Sequence, residues 1–595
     1  MKREIIGVLL AVFTLSACHE KGDIYDPNYN PDFGVSVPDD FDWSTTKTLT
    51  VNVEVDDEHD GKYLYFVRVY IVNPKDGGLP IASDKSNMDL PFSEDVVIPV
   101  SVKKLYIEQC FMKVNATEVV TIKEVIIDSD VVNYSFKGVA KSVMSGEIDG
   151  RGSDNKGKIV VKKGDSFVVS TSPWKNHEVE IEKGGTLRFE GDVELHDCKI
   201  ENKGSLIADG NLILKKSDLD NDRSVHVTGN LEVDNDSELD MEEASCTIVE
   251  GKVTLKSNAD MDDAAYFSCT DLDLLTKSTS ISMETGAWIR VIGQLTASAG
   301  CKIYYDEDDD DENDDEEEDY IQNTKWAALA QIGAIKNNGN GNLKVDKKIL
   351  VECKDPGQAD IDKGSLVDNA SDHIKIIPTA CNDGGINVDT PSYLAEDYTF
   401  ALEDQYPKKG DYDMNDIVVL ISKESYYSPL KKQATIKGRL IAAGANMAII
   451  PYVGVKKENR SESTPLFVDA SGNAANVYQA FGGEGAIRPV NTHAEGGTTL
   501  PAVSFEVEVN NVKDKLNINT LDFYIRVNGH EIDCDTRNEE NDIFGIMVPG
   551  KFRYPEEGYN ISKCYGEDFR KWIESNKNQC ADWYTSRDAK NVISF

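Results

Sequence analysis

Leu187-Arg188-Phe189-Glu190-Gly191-Asp192-Val193-Glu194-Leu195 is followed by Leu206-Ile207-Ala208-Asp209-Gly210-Asn211-Leu212-Ile213-Leu214. Val225-His226-Val227-Thr228-Gly229-Asn230-Leu231-Glu232-Val233 comes next. With Gly191, Gly210, Gly229, Gly251, Thr270 and Gly293 as phase zero, the spacings are 19, 19, 22, 19 and 23 residues. Apolar or small residues fall mainly two and four positions to either side. Weaker copies are Thr247/Val249/Val253/Leu255, Tyr266/Ser268/Leu272/Leu274 and Ile289/Val291/Leu295/Ala297. A third apolar site recurs at Ile200, Leu219, Leu239, Met261 and Met283. Two alternating strands meeting at a Gly corner, plus a third strand, describe one coil of a β-solenoid. A single coil cannot bury its inner face, so the coils must stack. An antiparallel meander is the competing account, because hairpins also place Gly between alternating strands. The outward positions Asp192, Glu194, Asn211, Glu232, Lys252, Asp271 and Asp273 are polar but differ from coil to coil, which suits a solvated face. They do not repeat the converging carboxylates that a polysaccharide lyase or hydrolase needs.

Working outward, Phe41 to Val139 is strand-like. Leu49 to Val55 alternates with period two, and Tyr63 to Val72, Val96 to Val102, Leu105 to Glu108 and Val119 to Ile127 follow at spacings suited to an antiparallel sandwich. The expected architecture is all-β. It comprises an N-terminal β-sandwich over 41–145, a solenoid of about six to eight coils over 158–305 with its end and a linker over 320–388, and a C-terminal β domain over 389–595. Leu343 to Val351 and His373 to Ile377 are expected as further strands, and Cys381 to Gly385 as a boundary loop.

Lys2 and Arg3 precede an apolar run from Ile5 to Ala17, the pattern of a secretory signal over 1–17. Leu15-Ser16-Ala17-Cys18 resembles a bacterial lipobox, which implies a diacylglyceryl group on Cys18. Residues 18–40, rich in Pro, Asn and Asp, are expected to form a tether. Lipid would then be the membrane attachment, with the protein at the outer membrane or cell surface. Ten cysteines remain, widely spaced and without CxxC. Most are expected to be buried thiols, and any disulfide is expected among Cys534, Cys564 and Cys580.

The 595 residues carry 63 Lys+Arg against 105 Asp+Glu, a formal charge of −42. No clustered positive charge is available to displace phosphate counterions, so nucleic acid is excluded as a partner. Asp306 to Asp319 holds thirteen acidic residues and one Asn, and the charge is still −29 without it. This run is expected to be a disordered loop leaving the solenoid.

Chemistry is concentrated farther on. Tyr398-Thr399-Phe400-Ala401-Leu402-Glu403-Asp404 precedes Gly410-Asp411-Tyr412-Asp413-Met414-Asn415-Asp416-Ile417-Val418-Val419. Alternating oxygens at Asp411, Asp413 and Asn415, with Asp416, can turn toward one point, as a hard cation with six to eight oxygen ligands requires. Glu403 or Asp404 could complete the shell. No Gly and distal Glu follow at EF-hand spacing. The eight histidines include no HxH or HExxH, and no GxSxG, P-loop or GxGxxG after a strand is present. Tyr426-Tyr427 and Trp583-Tyr584 suit a sugar-stacking platform, but paired aromatics are more often core residues.

The motif from Leu402 to Val419 resembles the signature of LruC-type domains, found in lipoproteins of Bacteroides-like bacteria and Leptospira. Phe523 to Gly529, Glu531-Ile532, Val548 to Pro555 and Asp582-Trp583-Tyr584 also match. So do Phe41 to Val55 and the lipobox, in the Bacteroides members. The resemblance covers about Tyr393 to Phe595 and implies an exported lipoprotein with a β-rich C-terminal domain, but no reaction. Similar FED…GDxDxND motifs resemble calcium-associated adhesin modules, which implies Ca2+. Asp533-Cys534-Asp535 departs from the pattern and weakens any ligand role there. The reading is a non-enzymatic, lipid-anchored surface protein whose calcium-stabilised C-terminal domain binds a glycan or a protein. The alternative is a glycan-processing enzyme with its site on that domain or on the solenoid face.

Overall fold

A computed structural model describes residues 34–38, 41–111, 119–137, 158–277, 279–306, 325–339, 342–382, 389–455, 460, 463–483, 488–510, 512 and 515–594. The signal, the lipobox with Cys18, most of the tether and the acidic run after Asp306 lie outside the described residues. The chain is all-β, with a solenoid of about eight turns and sheet domains at its ends.

The solenoid forms because each coil's inward residues meet the same positions of the next. Leu187 pairs in register with Leu206, and Leu206 with Val225, in parallel strands. Ile200, Leu219, Leu239, Met261 and Met283 line a second parallel sheet. All of these are at most 1% exposed and belong to one continuous core. The parallel pairing rules out the meander. The Gly period has a steric cause, because a Cβ on Gly210 would lie 2.6 Å from the Gly191 carbonyl carbon. One on Gly229 would lie equally close to that of Gly210. Coils can stack at strand spacing there only if the corner lacks side chains. From Cys246 onward the corner opens. The two lateral strands fuse into Cys246–Leu255, Tyr266–Leu274, Trp288–Ser298 and Ala328–Asn338, each shifting register at the old corner.

Three of the positions read as solvated, Asp192, Asn211 and Asp271, have a structural duty, the last accepting the Gln294 N–H at 2.8 Å. The Asp192 Oδ1 accepts the Asn211 N–H at 2.8 Å, the Asn211 Oδ1 accepts that of Asn230 at 2.8 Å, and the Asn230 Oδ1 accepts that of Lys252 at 2.8 Å. This Asx ladder ties the corners together.

The N-terminal sandwich packs the sheet of Phe92–Pro99, Thr46–Glu54 and Val131–Ser135 on a second sheet. That sheet contains Ala82–Ser86, Tyr65–Tyr70, Lys104–Phe111 and Val119–Ile126. The pairing of Thr46–Glu54 with Val131–Ser135 is parallel, so the sandwich is not purely antiparallel. Phe41 and Trp43 leave it altogether. They pack on Trp572 of the C-terminal helix, at ring-centroid distances of 4.9 and 6.0 Å.

Two further expectations are corrected. A disulfide joins Cys246 to Cys381, whereas Cys534, Cys564 and Cys580 are not disulfide-bonded. Sequence separation hid the pair, because Cys381 returns across the solenoid only after 135 residues. His373 to Ile377 is not a strand. Ile374 and Ile376 instead cover the outward aromatic residues Tyr266, Trp288 and Trp326. The segment from 378 to 380 pairs with 62–64 of the sandwich, and the Leu64 N–H donates to the Pro378 carbonyl at 2.9 Å. No helix among the described residues is long and apolar enough to cross a membrane.

Candidate metal centre

The strands Tyr398–Leu402 and Ile417–Ile421 are antiparallel, with Leu402 opposite Ile417. Residues 403 to 416 are therefore one closed loop, whose ends bring Glu403 and Asp404 beside Asn415 and Asp416. Within it, Tyr412 and Met414 adopt left-handed backbone conformations with φ of 61° and 53°. Each is uncommon for a residue with a side chain and persists only where its surroundings enforce it. Here Tyr412 and Met414 are buried in the apolar cluster of Phe552, Phe569 and Trp572. Carboxylate oxygens of Asp411 and Asp413 are thereby brought within 4.8 Å of each other and of one from Glu403.

The surrounding backbone supplies donors. The Glu403 Oε1 accepts the Met414 N–H at 2.7 Å, and the Asp413 Oδ2 accepts the Gly558 N–H at 2.7 Å. The Asp416 Oδ2 accepts the Asp404 N–H at 2.7 Å. The Asn415 Nδ2 donates to the Pro555 carbonyl at 3.2 Å. Three buried oxygens still lack a hydrogen-bond donor: Glu403 Oε2, Asp404 Oδ2 and Asn415 Oδ1. Glu403, Asp404, Asp413 and Asn415 are at most 3% exposed, whereas Asp411 and Asp416 are half-buried.

Among the described residues no Lys or Arg forms an ion pair with these carboxylates. The nearby Lys409 is engaged instead with Glu540 at 2.8 Å and Asp542 at 3.8 Å. Burial, reinforced by the Asp411 carboxylate, holds Glu403 and Asp413 far above the usual carboxylate range. Burial and Asp404 do the same to Asp416. Burial pushes Asp404 up to about 6 and also raises Asp411. Carboxylates crowded in this way stay neutral or are matched by a cation. Every donor at the focus is oxygen, so the chemistry fits a hard divalent ion of the calcium type.

Two glycines make room for the nest. A Cβ on Gly410 would meet the Glu403 Oε2 at 2.2 Å. One on Gly444 would meet the Asn415 Oδ1 at 2.4 Å and the Glu557 Oε2 at 3.2 Å. Glu557 is thus a neighbour of the nest that sequence reading missed. The matching segment Val548 to Pro555 stops two residues short of it. Also missed is the helical segment Ile561–Glu574, which is broken at Gly566 (φ 54°), although Ile561, Tyr565, Phe569 and Trp572 follow the N-cap Asn560 at intervals of three and four.

The other sequence features separate from the nest. The Asp533 Oδ1 accepts the Asp535 N–H at 3.0 Å and the Thr536 hydroxyl at 2.9 Å, organising its own turn. Trp583 and Tyr584 are buried, with Trp583 4.6 Å from Phe569, and Tyr427 is buried too, which favours the core reading for both pairs. His196 and His226 each meet one glutamate at the surface, Glu194 at 3.2 Å and Glu250 at 2.9 Å.

Residues 528–584 match the model of a family described as a domain of unknown function, DUF4842. No curated protein matches the chain. Among solved structures, one match is a protein from Bacteroides ovatus provisionally described as a lipoprotein. It is 14% identical, covers 37% of this chain and 79% of its own, and has a TM-score of 0.25.

Proposed function

We propose that this protein is a lipid-anchored surface protein of the LruC type that works by binding, not turnover. In this reading its C-terminal domain is held together by one calcium ion. The observation that carries the reading is the convergence of Glu403, Asp411 and Asp413, with unpartnered buried oxygens on Glu403, Asp404 and Asn415. A calcium ion there would be bound by Glu403, Asp411 and Asp413, with Asp404, Asn415 and Asp416 around them. It would also fix segment 555–558 through Asp413 and Asn415, and so seat the C-terminal helix. The lipid anchor rests on Leu15-Ser16-Ala17-Cys18, which directs the protein to the outer membrane or cell surface.

A binding role for a glycan or a protein is favoured over glycan processing because Glu403, Asp404 and Asp413 are enclosed, and Glu403, Asp413 and Asp416 are tied to backbone N–H groups. A glycosidase needs its acid and base open to a cleft. The intact protein on a glycan array, with a parallel assay for new reducing ends, tests this reading. Retention without products supports it, and turnover of any polysaccharide overturns it. Replacing Cys18 by Ser is expected to release the protein from the membrane fraction.

A further inference from the structure

A cleft of about 780 Å³ lies where the solenoid, the sandwich and segment 379–382 meet. Its floor is the outward face of the solenoid's lateral sheet, where Ser268, Arg290 and Gln331 form one in-register row. Tyr266 and Trp288, in ring contact at 4.9 Å and almost wholly buried, lie in the neighbouring row. The floor is held rigid. The Trp288 Nε1–H donates to the Gln331 Oε1 at 3.1 Å, and the Gln331 Nε2–H donates to the Glu352 Oε2 at 3.3 Å. At the mouth, Arg223 is fixed by Asp89 of the sandwich at 2.7 Å and by the Asp60 carbonyl at 3.2 Å.

Arg290 is the arginine of the cleft that, among the described residues, carries no carboxylate partner, whereas Arg223 at the mouth is paired with Asp89. The chain's charge is −42, and Arg188, Arg223 and Arg460 are among the arginines that meet carboxylates, whereas Arg439, Arg488 and Arg587 form no ion pair among the described residues. Arg290 is exposed in the cleft and, among the described residues, has neither an ion pair nor a hydrogen bond. A guanidinium in a cleft, without a carboxylate of its own, is available to take an oxyanion in bidentate geometry.

We propose that this cleft binds an acidic saccharide, with Arg290 taking its carboxylate or sulfate. The remaining Gln331 amide hydrogen would meet a hydroxyl of the sugar. An extended acidic peptide fits less well. The floor strand Trp288–Ser298 is paired on both sides, so no sheet edge is open for strand addition. The site lies on the solenoid and does not depend on the metal reading.

The test is affinity electrophoresis and calorimetry of the intact protein, with and without chelator. The probes are polygalacturonate, chondroitin sulfate, a neutral galactan and polyglutamate. The expected result is binding of polygalacturonate or chondroitin sulfate, unaffected by chelator and absent for galactan. Arg290→Ala should weaken it about tenfold and Arg290→Glu should weaken it further. Arg188→Ala, on the solenoid outside the cleft, should leave it unchanged. Polygalacturonate carries carboxylates alone and chondroitin sulfate carries both groups, so binding of chondroitin sulfate without polygalacturonate points to the sulfate as the ligand. No binding of either at millimolar saccharide would overturn the proposal. Binding indifferent to Arg290 would overturn it as well, and polyglutamate bound as tightly as the saccharides would overturn the saccharide class.

Discussion

Glu403 and Asp413 are placed where an ionised carboxylate is unfavourable without a cation, so their substitution separates stability from metal binding. Glu403→Gln and Asp413→Asn each keep the side-chain volume and remove a buried charge. Both variants are expected to melt at or above the wild-type temperature in chelator, and to lose the gain that calcium confers. For a single site that gain is about 2.7 kcal/mol at a calcium concentration a hundredfold above the dissociation constant. Thermal unfolding with and without calcium reads both effects. Gly444→Ala acts from the other side, since its Cβ would meet the Asn415 Oδ1 at 2.4 Å. It should weaken calcium binding although it removes no ligand. The alternating Asp411, Asp413 and Asn415 were visible in the sequence because adjacent spacing survives folding. Glu557 was not, because it reaches the nest only through the return of a segment more than 140 residues away.

The solenoid coil was readable from Leu187, Leu206 and Val225 because a parallel stack repeats one environment, and repetition is visible without coordinates. What stayed hidden depended on neighbours in the stack. Asp192 and Asn211 are polar and exposed by pattern, yet each holds the next coil's backbone. Fusion of the lateral strands after Cys246 also left no signal beyond the lengthened spacing. A column of carboxylates runs up the second sheet, with Asp220 beside Asp240 and Asp240 beside Asp260. Burial and these neighbours push Asp240 up to about 6; burial and Asp262 push Glu242 up to about 7. A carboxylic acid held above its unfolded value keeps its proton longer in the folded state. That stabilisation is complete below the unfolded value and is lost as pH rises through 6 to 7. The solenoid should therefore melt at a lower temperature at pH 8 than at pH 5. The double variant Asp240→Asn, Glu242→Gln should flatten that profile and melt higher at pH 8. Leu214→Ala, fully buried in the same stack, should cost about 2–5 kcal/mol.

At the scale of the whole molecule, the sandwich contacts both other parts. Tyr63 donates its hydroxyl to Glu243 of the solenoid at 2.7 Å, and Glu94 meets Lys515 of the C-terminal domain at 2.6 Å. The segment before the sandwich crosses to the C-terminal helix through Phe41 and Trp43. The Cys246–Cys381 bond pins the chain leaving the solenoid against its lateral face. Cys246→Ser is expected to cost about 2–5 kcal/mol and to expose 366–382 to protease in a non-reducing buffer, while the C-terminal domain keeps its calcium response. That response is the direct test of the central claim. Calorimetric titration of the intact protein with calcium should show saturable binding that raises the melting temperature, and both effects should vanish in the Glu403→Gln, Asp413→Asn double variant. No heat at millimolar calcium, or a melting temperature that ignores calcium in the wild type, would contradict it.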